Sequence, residues 1–113
     1  MESILHSIKK LLGITSDYTV FDPEIIMHIN SVFSTLTQLG VGPEDGFSIT
    51  DESSVWSDFI PEGNKNLECV KSYMYLKVKL LFDPPTNSAT ISAMNEMTRE
   101  YEWRLNVSAE DTT

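Results

Sequence analysis

Between Asn66 and Phe82 the chain carries apolar residues on two sides of one helix. Leu67, Val70, Met74, Val78 and Leu81 recur along one side, and Cys69, Tyr73, Leu76 and Leu80 along the other, with Glu68, Ser72 and Lys79 between them. A helix patterned in this way needs cover from both directions. A central place in a single domain supplies it; the alternative is a second stripe kept for another subunit. Asp83-Pro84-Pro85 then ends the pattern, because paired prolines remove backbone donors and push the preceding residue out of helical geometry.

The covering elements are legible on either side. Asp22-Pro23-Glu24 predicts a helix start with Asp22 as N-cap and Pro23 at the first helical position. Ile25, Ile29, Val32, Phe33, Leu36 and Leu39 make its stripe, and Gly40 ends it. Residues 2–12 place Ile4, Leu5, Ile8, Leu11 and Leu12 at helical spacing before Gly13, with Lys9 and Lys10 suited to the negative end of the helix dipole. This short amphipathic helix closes over the domain's own core or docks on a neighbour. A last helix is expected over 88–107, with Ile91, Met94, Met97, Tyr101 and Leu105 inward and Trp103 on another face near Arg99 and Glu96. A large aromatic off the stripe is either a singly exposed residue or an interface anchor.

Residues 41–66 are rich in Gly, Pro, Ser, Asp and Glu, which implies turns around short extended pieces. Phe47-Ser48-Ile49-Thr50 alternates as a half-buried strand does, and Ser53-Ser54-Val55-Trp56 is its expected partner across Asp51-Glu52. The fold expected is therefore mainly α: a small domain over 1–107 of about four to five helices, a short β-hairpin between the second and third, and a polar tail over 108–113.

Composition narrows the function. A formal net charge of -9, from 17 acids against 8 bases, is spread evenly between the two halves, so no basic domain exists to grip phosphates. Cys69 is the only cysteine; lying among Leu67, Val70 and Tyr73 it reads as a bland buried thiol, and it excludes an intrachain disulfide. The first residues lack the basic start and apolar run of a secretory signal, and no stretch approaches the length of a membrane span.

No constellation for catalysis or for a cofactor emerges. His6 and His28 lie on separate helices without a second ligand at metal spacing. Gly40-Val41-Gly42-Pro43 follows a helix, lacks a phosphate-binding lysine, and reads as a helix stop and turn. Glu96, Glu100 and Glu102 read as a solvated helix face, and Asp51, Glu52 and Asp83 stand in turns. The chain is expected to be a non-enzymatic building block that needs no cofactor and no membrane.

Several segments together resemble the head-tail connector, or adaptor, proteins of long-tailed bacteriophages. They are residues 21–30 (FDPEIIMHIN), 39–42 (LGVG), 56–59 (WSDF), 75–85 (YLKVKLLFDPP) and 102–106 (EWRLN). Each is weak alone; their order and spacing make the combination specific. The resemblance implies a virion component of the phage neck, assembled in the host cytoplasm as a twelve-fold ring beneath the portal. Such a ring extends the DNA channel and offers a docking surface to the stopper or next neck protein.

A ring contact is heterologous and requires two different complementary faces on each subunit. Candidates are Ile4, Leu5 and Ile8 of the first helix, Tyr73 and Leu76 of the second stripe, and Arg99 with Trp103. Asp51, Glu52 and Glu62 are the candidate channel-lining acids, since like charge lets a duplex slide without being held. The family's C-terminal segment reaches toward the portal, which makes Ser108, Glu110 and Asp111 candidate portal contacts. A competing reading is a small acidic interaction protein such as a DNA mimic, but Lys71, Lys77, Lys79, Arg99 and Arg104 interrupt its acidic helices.

Overall fold

The computed structural model describes residues 2–111. Its described part contains five helices: α1 (Ile4–Leu11), α2 (Asp22–Gln38), α3 (Trp56–Phe59), α4 (Leu67–Phe82) and α5 (Ser88–Asp111). The two-sided helix predicted over 66–82 is α4, and it is central. It packs against α2 and α5, with α1 against both α2 and α4. Val70, Tyr73, Met74 and Val78 are fully buried, so the middle of both stripes of α4 is covered within the one chain, while Leu81 at the far end is half exposed.

The predicted stripe of α2 holds: Ile25, Ile29, Val32, Phe33 and Leu36 are buried. Phe33 is the hub of an aromatic cluster, with ring centroids 4.9 Å from Phe47, 4.7 Å from Phe59 and 6.3 Å from Trp56. The start of α2 differs from expectation. Phe21 takes the cap position, and Asp22 turns its carboxylate to Lys9, with Oδ1 2.8 Å from Nζ.

Lys9 itself is fully buried, rather than being a solvated residue at a helix end. Its ammonium donates to the carbonyls of Ser16 (3.2 Å) and Tyr18 (2.8 Å) while pairing with Asp22. Burying a charge is costly unless it is paired and hydrogen-bonded, and Lys9 has two carbonyl acceptors and one anionic partner. It thereby pins the loop between α1 and α2.

Among the described residues no β-hairpin forms, and Asn30 supplies the physical reason. Its side-chain amide accepts from Ile49 N (2.8 Å) and donates to Ile49 O (2.9 Å), satisfying the groups that a strand partner would have taken. Val55 instead makes an isolated antiparallel bridge to Ser3, with Ile4 N bonded to Ser54 O at 3.0 Å. Trp56, assigned by sequence to the second strand, opens α3. Asp58 accepts from Val55 N at 3.0 Å to cap that turn, and the buried Trp56 indole donates to Ser7 Oγ at 3.0 Å.

The polar tail is not separate either: α5 continues to Asp111. Asn66 and Ser108 exchange hydrogen bonds at 3.0 and 3.2 Å, and Asn106 donates to Leu39 O at 3.4 Å. Gly42 has φ +86°, and a Cβ there would collide with the Phe59 ring, so only glycine fits this turn.

Replacing Lys9 with Met leaves the Asp22 carboxylate partly buried without its cation, and is expected to destabilise the chain by about 3–5 kcal/mol. Replacing Asp22 with Leu in the same chain restores much of the loss. Urea unfolding midpoints of the single and double variants check both expectations.

Candidate assembly surfaces

The interface candidates named from sequence divide by burial. Ile4, Leu5 and Ile8 are fully buried, because α1 lies with its apolar face on α2 and α4. As folded they belong to the chain's own core rather than to a neighbour's surface. Tyr73 and Leu76 are likewise buried. Arg99 and Trp103 stand on the exposed face of α5, Trp103 at 67% exposure. Arg99 is bonded to Glu96 of its own helix.

Tyr73 has a role that sequence reasoning missed. Its hydroxyl donates to Glu102 Oε2 at 2.6 Å, tying α4 to α5. Burial pushes its phenol well above the ordinary tyrosine range, and the hydrogen bond and charge of Glu102 act in the same direction. Glu102 therefore leaves the solvated acid face in which its spacing had placed it. Burial likewise raises the thiol of Cys69, with Arg104 opposing, so this cysteine keeps its proton.

Between α1, α4 and α5 runs an open groove of about 530 Å³. Its apolar lining includes Leu11, Tyr75, Leu76, Met97 and Tyr101, and its charged lining is Glu2, Glu68, Lys10 and Lys71. Leu11 and Met97 are 54% and 44% exposed. Lys71 lies 5.9 Å above the Trp56 ring and about midway between two acids, at 4.0 Å from Glu2 and 3.9 Å from Glu68. A second apolar surface is built on the pinned loop, where Tyr18, Val20 and Phe21 are all exposed. Phe21 stacks edge-on against Phe82 at 5.4 Å.

The candidate channel acids Asp51, Glu52 and Glu62 are exposed on the loops flanking α3. Asp51 accepts from the backbone and hydroxyl of Ser53, which hold its carboxyl below the usual range. Of the tail candidates, Ser108 is occupied by Asn66 and Glu110 is exposed, while the side chain of Asp111 lies outside the described residues. On the helices the acids are partly neutralised: Arg104 pairs with Glu100 and Lys79 with Asp83, both at 2.8 Å. Such interleaving does not make the dense carboxylate face of a DNA mimic. Among the described residues no helix is long and apolar enough to cross a membrane, and no group of three or more His, Cys, Asp or Glu could hold a metal ion.

The sequence model of the phage connector protein family matches residues 4–112. The chain belongs to that family. No curated protein and no solved structure gives a match. This connector is thus a structural component of the phage virion at the head-tail junction.

Two outcomes follow for α5. Trp103→Ala should change stability by less than about 0.5 kcal/mol, as an exposed side chain does, while weakening assembly with neck partners; thermal melting and native mass spectrometry read the two effects separately. Tyr73→Phe should cost roughly 1.5 kcal/mol near neutral pH. The raised phenol means that only the unfolded chain ionises just above the ordinary tyrosine value of about 10, so wild-type stability falls as pH rises past that point. The fall should be shallower in Tyr73→Phe, measured by urea titrations between neutral pH and pH 11.

Proposed function

We propose that this connector assembles as a closed ring, twelve copies in number, between the capsid portal and the next neck protein. The ring prolongs the DNA channel and acts without catalysis. The observation that carries this reading is an excess of exposed apolar side chains on a chain whose core is already complete. Val20, Leu11, Met97 and Trp103 stand outside a core that already buries Val70, Tyr73, Met74 and Val78 of α4. Large apolar residues left exposed in patches, as Leu11 and Met97 are in the groove and Tyr18, Val20 and Phe21 on the loop, mark contacts with other chains, and membership of a connector family gives those contacts a purpose.

The acidity supports the second half of the reading. Among the described residues, exposed Asp51, Glu52 and Glu62 carry no salt-bridge partner, and Asp51 is held in its charged form by Ser53. Lining a channel, such loops repel phosphates and let a duplex pass without an anchor. The exposed end of α5 at Glu110 is the segment offered to the portal, and the outward face around Trp103 the one offered to a stopper or tail-side protein.

Mixing the purified chain with the portal protein of the same phage and imaging by negative stain should give rings stacked on portal rings. A chain that stays monomeric beside the portal contradicts the proposal. Changing Asp51, Glu52 and Glu62 together to Lys should leave the fold intact and create salt-sensitive DNA retention by the assembled ring, read by filter binding across a salt series.

A further inference from the structure

We infer that neighbouring copies meet by seating the pinned α1–α2 loop of one subunit in the α1–α4–α5 groove of the next. The inference rests on the ring reading above and assigns the two faces which that ring requires.

The loop is built to present side chains in a fixed place. Lys9 spends a buried charge on it, donating to the Ser16 and Tyr18 carbonyls and pairing with Asp22, so the segment is anchored from beneath at three points. Above those anchors Tyr18, Val20 and Phe21 project with 48%, 69% and 40% of their surface exposed. Tyr18 and Phe21 support each other at 5.8 Å, and Phe21 rests on Phe82. A loop that needed only to connect two helices would not need apolar residues facing water. Fixing them in advance lowers the ordering cost of binding.

The groove is the complementary surface on three grounds. It is concave and predominantly apolar, with room for the projecting side chains of such a loop. It shares no residue with the loop patch, and a heterologous contact that closes a ring needs two separate faces. Its charge also fits. The loop patch is acidic, carrying Asp17 and Glu24 beside the paired Asp22, and most of a chain with net charge -9 would repel it. The groove balances Glu2 and Glu68 with Lys10 and Lys71, and Lys10 is an exposed cation at its edge. Acidic loop against neutral, lysine-edged groove is the pairing of these surfaces that like-charge repulsion leaves open.

The test uses two full-length variants, Val20→Asp on the loop and Met97→Asp in the groove, both at exposed positions and both checked for unchanged melting. With portal protein present, wild type should form rings and each variant alone should not. Mixed together without wild type, the variants should stop at a heterodimer by native mass spectrometry, since one keeps an intact groove and the other an intact loop. Rings from either variant alone, or no heterodimer from the mixture while wild type assembles, would overturn the contact and leave the ring reading standing. Normal rings of Val20→Asp that no longer hold the portal would assign the loop to the portal and overturn it as well. Wild type that never assembles beside the portal removes the ring reading and this contact with it.

Discussion

Everything in this molecule depends on covering α4 from both sides. A helix with apolar residues on two flanks is unstable in water until each flank is buried, and α2 and α5 both pack against it. Tyr73 shows how completely this is done: it has no exposed surface, and its one polar atom is satisfied by Glu102 from the covering helix. Once α2 and α5 are committed to α4, α1 can only close the remaining edge, which consumes Ile4, Leu5 and Ile8. The residues left to meet other chains are those this packing does not use.

That ordering explains which site assignments were readable in the sequence. The stripes of α2 and α4 follow from helical spacing alone, and their burial agrees with the pattern. Spacing cannot distinguish a stripe covered by the same chain from one covered by a neighbour, so α1, Tyr73 and Leu76 were also consistent with an interface. Trp103 departs from its helix's stripe, and its exposure agrees with that departure.

The misread features share a different cause: single polar side chains that replace regular backbone pairing. Asn30 bonds both polar groups of Ile49 and so removes the need for a strand partner. Asp22 sits where a helix cap is expected, yet its carboxylate serves Lys9. Asn66 and Ser108 hold the end of α5 to the loop before α4, turning a polar tail into helix. Each is a long-range contact between residues 13 to 42 positions apart in sequence, which no local pattern encodes. The buried lysine is the most consequential, because it fixes the loop on which Tyr18, Val20 and Phe21 remain exposed.

The central claim is that a fully folded subunit joins the phage neck through surfaces outside its own core. Amide hydrogen exchange, followed by mass spectrometry with the chain free and bound to portal-containing assemblies, tests this directly. The account predicts new protection in the loop over residues 14–21 and along the groove over 68–76, with exchange in α2 unchanged. Deprotection of α1 or α2 on assembly, or a pattern identical in the free and bound states, would contradict it.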